Sequence, residues 1–335
     1  MPLWISEADI AAMMDLSDAI DALEKGLLAE ALGNAQNMVK THVEFDAGSI
    51  LHAIGAAFPA DGFVGTKTWA HTKGGATPLL ILFDSRDGSL KAVVEAFALG
   101  QMRTAATSGV ATRWLADEDA DEFAMIGTGK QALPQVAAVL AVRPVKRIRI
   151  YARNRERLDA FVTRVRGEFE VSAEAAGSIA QAVDGAGIIT VVTRATEPIV
   201  GASMVARGAH INAIGAIVPS QAELSTDVLA RAGRIVADSV PQARKLSREF
   251  IEFFGTDEAR WQRVESLSSV VAGQSRRLPS DDLTLFKSLG MGISDLALGI
   301  ELYRMALAKG LGRDMEHPHK VPPRLRSGQR QKIGA

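Results

Sequence analysis

Cysteine is absent from the 335 residues. Disulfide bonds and thiolate nucleophiles are therefore excluded. A surplus of either charge is lacking too. Lys and Arg number 38 against 39 Asp and Glu, for a net charge of −1. That balance supports neither nucleic-acid binding nor attachment to an anionic membrane. No apolar run is long enough to span a bilayer. The opening Met1-Pro-Leu-Trp-Ile-Ser-Glu7 lacks the basic start and apolar stretch of a signal peptide, so the expectation is a cytoplasmic protein. What is present is ordinary for a globular chain, with 47% hydrophobic and 23% charged residues and length enough for two domains.

The informative stretch is Phe123-Ala-Met-Ile-Gly-Thr-Gly-Lys-Gln-Ala132, an apolar strand running into a helix start. It fits G-x-G-x-x-G/A. Gly127 permits the tight turn and Gly129 lets the backbone approach a pyrophosphate. Ala132 lets helix and strand pack closely, and the helix N-terminus offers N–H donors. A second strand, Arg147-Ile-Arg-Ile-Tyr151, follows at βαβ distance. The pattern predicts a dinucleotide-binding unit, with Thr128 and Gln131 in the same loop.

Ahead of it, residues 6–32 carry helical periodicity, with Ser6 as cap and a second start at Ser17-Asp18. Strands are expected over 39–45, 49–58, 63–69, 78–84 and 89–94, forming a mostly antiparallel sheet. Residues 98–115 form a helix rich in small residues, which implies close packing. The acidic stretch 116–122 marks the boundary to the second unit. There, strands at 123–126, 147–151, 169–171, 187–193, 209–214 and 234–238 alternate with helices, the signature of a Rossmann-type doubly wound parallel sheet. A strand at 283–287 and a helix at 292–308 follow, and the helix crosses back to the first unit. From Gly312 a basic, proline-containing arm is expected to be extended or disordered. Its His317-Pro-His319 reads as surface rather than a metal site, and no metal is expected.

An acid at the end of the second strand would bond a ribose 2′-OH. Here Tyr151-Ala-Arg-Asn-Arg155 has none. Arg153 and Asn154 suit a 2′-phosphate instead, so NADP(H) is the preferred cofactor, with NAD(H) possible. Thr193, Ala213 and Gly215, at strand ends, are placed against the nicotinamide half. Asn212 and Gly215 serve equally well as turn and packing residues.

On the other side, Lys40, Lys67 and Arg103 are isolated cations on apolar elements. A buried charge needs a partner, and a substrate carboxylate supplies one. The partners expected are thus a small carboxylate-bearing substrate, and neither nucleic acid nor membrane. Lys67 is also a candidate proton donor, since buried lysines shift their pKa readily. His52 is a second donor candidate, or else a structural histidine.

The chain resembles the ornithine cyclodeaminase/mu-crystallin family. The matching text is Gly65-Thr-Lys-Thr-Trp69, Leu82-Phe-Asp-Ser-Arg-Asp-Gly88, Met102-Arg-Thr-Ala-Ala-Thr-Ser108, Ile126-Gly-Thr-Gly-Lys-Gln-Ala132, His210-Ile-Asn-Ala-Ile-Gly215, Ala222-Glu-Leu224 and Thr284-Leu-Phe-Lys-Ser-Leu-Gly290. The resemblance implies a homodimer. It also implies a discontinuous α+β substrate and dimerisation domain, 1–117 plus 295–335, around a nucleotide-binding domain, 118–294. It assigns Lys67 and Arg103 to the substrate carboxylate, with Lys40 where the family usually has Arg. Ile217 stands where true cyclodeaminases carry an Asp that engages the substrate amine, and His52 lies near the place of their acid. The reductase branch therefore fits better. The expectation is an NADPH-dependent reductase of a small imino or ketimine acid, or an amino-acid dehydrogenase. The alternatives are an NAD-dependent ornithine cyclodeaminase giving proline, and a non-catalytic NADPH-binding protein of mu-crystallin type.

Overall fold

The computed structural model describes residues 1–46 and 48–325. The turn at Asp46-Ala-Gly48 therefore has one residue, and the basic arm its last ten, outside the described residues.

Two sheets organise the chain. The first holds β1 (Leu3–Ile5), β2 (Gln36–Asn37), β3 (Thr41–Asp46), β4 (Ser49–Phe58), β5 (Phe63–Thr72), β6 (Gly75–Ala76), β7 (Leu79–Asp84) and β8 (Leu90–Glu95). The second holds β9 (Glu122–Ile126), β10 (Arg147–Tyr151), β11 (Ser172–Ala175), β12 (Ile188–Val191), β13 (Ala209–Ala213), β14 (Arg234–Ala237), β15 (Val264–Ser266) and β16 (Leu283–Lys287); β17 (Arg313–Asp314) returns to the first sheet. The first sheet runs β17-β1-β8-β7-β5-β4-β2, with β3 on β4 and β6 on β5. It is mostly antiparallel, as its alternating pattern predicts. The second runs β11-β10-β9-β12-β13-β16-β14-β15, and every pairing in it is parallel. The fold is mixed α/β with a doubly wound parallel sheet, as expected.

Several boundaries differ from expectation. The first helical stretch is two helices, Glu7–Met13 and Leu16–Ala31. The second is capped by Asp15, not by Ser17, because the Asp15 carboxylate accepts from the Asp18 N–H in a reciprocal capping box. The strand expected at 169–171 is instead β11, at Ser172–Ala175. The preceding helix runs on to Glu168, and the Phe169 N–H still bonds the Val165 carbonyl at 3.0 Å. The short strands β1, β15 and β17 had no sequence signal strong enough to reveal them.

The helix Phe97–Leu115 joins the two halves. Its small residues allow close packing, since a Cβ at Gly109 would meet Ile20 at 2.5 Å. Its last carbonyls accept from the Arg143 guanidinium, at 2.8 Å from Thr112 and 2.9 Å from Ala116. Its Thr112 hydroxyl accepts from Asn212 of β13 at 3.0 Å. The helix Gly292–Lys309 does cross back. It packs so closely on the first sheet that a Cβ at Gly292 would lie 1.8 Å from the Gly55 carbonyl oxygen. No helix among the described residues is long and apolar enough to cross a membrane.

Candidate active site

The C-terminal ends of parallel strands form the crevice in which doubly wound sheets bind ligands. All eight strands of the second sheet end along that edge, and the segments that leave it there include those beginning at Gly127, Val192, Ile214, Asp238 and Ser288. Gly127 has φ +115°, and a Cβ there would sit 2.6 Å from the Val192 carbonyl, so only glycine fits. Gly129 is different, because nothing lies within 4 Å of where its Cβ would be. The protein itself does not require glycine there, whereas a pyrophosphate lying against the backbone would. Gln131 leaves its Oε1 buried with no hydrogen-bond partner. Ala132 is fully buried at the start of the helix Ala132–Leu140. These features fit a dinucleotide. At the end of β10, Arg153 is exposed and forms no ion pair among the described residues. Asn154 is committed in part, since its Oδ1 caps the next helix by accepting from the Arg157 N–H at 2.9 Å.

Sequence reasoning missed the group that organises the next two loops. Glu223 is wholly buried. One carboxylate oxygen accepts from the Thr193 N–H at 2.6 Å and the Thr193 hydroxyl at 2.8 Å. The other accepts from Gly215 N–H at 2.7 Å and Ala216 N–H at 3.0 Å. One side chain thus ties the ends of β12 and β13 together. Gly215 must be glycine for packing, because a Cβ would fall 2.1 Å from the Thr193 carbonyl. Ala213 is fully buried. Burial pushes the Glu223 carboxyl pKa up, and the Lys287 charge opposes this. Lys287 and Glu249, both buried, pair behind it at 3.3 Å. His210 is also buried, with Nδ1 2.9 Å from Thr284 Oγ1 and Nε2 3.1 Å from Asn212 Oδ1. Burial drives its pKa down to about 3, so it is a neutral structural imidazole.

The cations converge on a second missed acid. Asp295, in the first turn of the helix Gly292–Lys309, is completely buried. Its Oδ1 is salt-bridged to Lys67 Nζ and lies 3.4 Å from Arg103 Nε, while Oδ2 has no partner. Lys67 lies on β5 facing the helix of Arg103, with Nζ 4.0 Å from the Cβ position of Gly100, one turn before Arg103. Burial lowers the Lys67 pKa to about 8, with Asp295 opposing and Arg103 and Lys40 reinforcing. Lys40 is lowered too, chiefly by burial and then by Arg103.

This cation cluster abuts the crevice. Buried Asp238, at the end of β14, accepts from Ser288 Oγ at 2.9 Å and from the N–H groups of Leu289 and Gly290, each at 2.8 Å. The loop so held presses Gly290 on Arg103, where a Cβ would be 3.1 Å from Nη1. Further along, Lys130 of the glycine loop lies 5.8 Å from the Phe97 ring on the helix of Arg103. His52, on β4, stacks on Trp69 with ring centroids 4.6 Å apart. Among the described residues no cluster of three or more His, Asp or Glu could hold a metal ion.

The model of the ornithine cyclodeaminase/mu-crystallin family matches residues 3–310. The chain belongs to this family. Among its relatives, a Delta(1)-pyrroline-2-carboxylate reductase of Bacillus cereus is 32% identical over 243 residues, covering 71% of this chain and 74% of the relative. Ketimine reductase mu-crystallin of Mus musculus is 35% identical over 224 residues, covering 67% and 68%. The solved Delta(1)-pyrroline-2-carboxylate reductase of Thermococcus litoralis, in complex with NADH and L-proline, superposes with a TM-score of 0.86 at 25% identity, covering 93% of this chain and all of that one.

Proposed function

We propose that this protein is an NADPH-dependent reductase of a small imino or ketimine acid. The observation that carries the reading is the convergence of Lys67 and Arg103 on buried Asp295, beside the loops that end the parallel strands. One carboxylate cannot match the nearby cations, so the site is built to receive an acid. Arg103 offers its guanidinium fork and Lys67 a point charge, and together they fix the substrate carboxylate. Lys40 adds attraction at longer range. When bound, the reduced nicotinamide supplies a hydride to the C=N carbon. Holding the substrate in one orientation makes that transfer effectively intramolecular. Lys67, with its pKa near 8, is poised to deliver a proton from Nζ to the imine nitrogen.

In the crevice, Gly127, Thr128, Gly129, Gln131 and Ala132 form the pyrophosphate cradle. Thr193, Ala213 and Gly215 border the nicotinamide. Arg153 and Asn154 face the adenosine 2′-phosphate, which favours NADP(H), and NAD(H) remains usable. Residues 118–294 hold the nucleotide, while 1–117 and 295–335 supply substrate contacts and the homodimer interface. The outer face of β3 and β4 suits that last role, since Val43, Phe45 and Leu51 are all exposed there.

Ornithine cyclodeamination is the second reading. Ile217 opposes it, having no ionisable group to engage a substrate amine. The deciding experiment follows NADPH and NADH absorbance with pyruvate or glyoxylate plus methylamine, and with cyclic ketimines. A parallel assay seeks proline from ornithine without net cofactor consumption. Oxidation of NADPH in the first, lost in Arg103→Ala with cofactor affinity retained, supports the proposal. Proline release alone would replace it with the lyase. Tight NADPH binding without turnover would make the protein a carrier.

A further inference from the structure

Strands carry alternate side chains to opposite faces. Lys67 opposes Ile54, His52 opposes both Trp69 and His42, and His71 opposes Ile50. The site face of this sheet therefore carries His42, His52, Lys67, Trp69 and His71, and the apolar residues Val43 and Leu51 point the other way. Lys67 Nζ lies 5.1 Å from the Trp69 ring centroid. The His52 ring lies 4.6 Å from Trp69 and 5.9 Å from His42. A strip thus leads away from the cation cluster in the order Lys67, Trp69, His52, His42.

This strip is short of negative charge. His52 Nδ1 is buried with no hydrogen-bond partner. Burial, reinforced by Lys40, lowers the His52 pKa to about 4, and no carboxylate among the described residues opposes the shift. Lys40 acts on Arg103 as well as on His52, so it stands electrically between the two ends of the strip. The acids that act on Lys40 are already engaged, Asp295 by Lys67 and Asp238 by the Ser288–Gly290 loop. Glu44, the acid on this face of β3, opposes Ile50 rather than His52 and is exposed.

We infer that the strip receives the substrate's side chain and that this side chain ends in a second carboxylate, so that the substrate class is a short α-imino dicarboxylic acid. The inference rests on the reductase reading above. The α-carboxylate takes Arg103 and Lys67, and the distal one takes His52 and its neighbours, with Lys40 attracting both. An aliphatic side chain would instead leave Nδ1 of His52 buried and unpaired. An aromatic one would compete with His52, which already covers one face of Trp69.

The test uses the full-length protein, methylamine, and NADPH or NADH, followed by absorbance. 2-Oxoglutarate and oxaloacetate are compared with pyruvate, 2-oxobutyrate and phenylpyruvate. The dicarboxylic acids should win in kcat/KM by about tenfold or more, the discrimination that a charge-assisted hydrogen bond supplies. In His52→Phe the dicarboxylic-to-monocarboxylic ratio should fall by a similar factor. That ratio is internal to each protein, so partial loss of folded material cancels. Preference for pyruvate, 2-oxobutyrate or phenylpyruvate overturns the inference while leaving the reductase reading intact, and so does an unchanged ratio in His52→Phe. Turnover of cyclic ketimines alone likewise overturns only the inference, whereas turnover of no acid–amine pair and no cyclic ketimine overturns both.

Discussion

Asp295 and Lys67, 228 residues apart in sequence, form a buried ion pair, and Arg103 approaches the same carboxylate oxygen. Removing one partner of such a pair strands the other in a medium that cannot solvate it. Asp295→Asn should therefore lower unfolding stability by about 3–5 kcal/mol, read by urea denaturation. The double variant Lys67→Met with Asp295→Leu should recover much of that loss, because the buried ammonium is removed with its partner and the Arg103 guanidinium that remains is partly exposed to solvent.

The depressed pKa of Lys67 fixes a pH dependence. In the proposed role this lysine must be charged in the free enzyme, so kcat/KM should fall as pH rises through about 8. Lys67→Arg should keep the positive charge but lose the proton donor, so kcat should fall and this limb should be missing from whatever activity remains, since guanidinium stays protonated. Stability moves the opposite way. Between about 8 and the ordinary 10.5 the unfolded chain holds the proton that the folded one has lost, so Lys67 makes the fold more stable as pH rises across that window.

His210 sets an acid limit. Its folded pKa is about 3 against an ordinary 6.5, so below 6.5 the unfolded state binds a proton that the folded state refuses. Its contribution to stability is whole above 6.5 and is lost as pH falls toward 3. Denaturation midpoints measured from neutral to acid pH should decline less steeply in His210→Gln.

Cofactor choice should turn on Arg153. Arg153→Ala should raise the KM for NADPH about tenfold or more, the worth of one hydrogen bond to a charged group, while leaving that for NADH nearly unchanged. Equal effects on both cofactors would remove the 2′-phosphate from its assigned place.

Glu223→Gln should loosen two loops at once. The amide can accept on one side only, and its NH2 would then face N–H donors on the other. A buried donor left unpaired costs about 1–3 kcal/mol. Thermal denaturation should show that loss, and the Kd for NADPH, measured by fluorescence, should rise with it.

Most of the frame was legible in the sequence because period and glycine spacing are local properties. The βαβ start at Phe123–Ala132, the strand Ser49–Phe58 and the helix beginning near Phe97 all follow from residues within one element. The failures have a common cause. Asp295, Glu223 and Asp238 act through partners distant in the chain, and an isolated acid on an apolar helix or strand end gives no hint of which loop it will hold. Asp295 had a faint signal, being one charge within Gly292-Ile-Ser-Asp-Leu-Ala-Leu-Gly-Ile300, where it invites the question asked of Arg103. β1, held between β8 and β17, and β17 at the sheet edge are set by pairing with strands distant in the chain, which short segments do not advertise.

The return of the helix Gly292–Lys309 to the first sheet has a consequence for the growing polypeptide. During synthesis Lys67 leaves the ribosome long before Asp295 does, and in that interval the lysine has no counter-ion to accompany it inward. The pocket that takes the Lys67 ammonium is therefore complete only once residue 295 has been made. A nascent chain that stalls before residue 292 is left with an ammonium group facing water and no pocket to put it in.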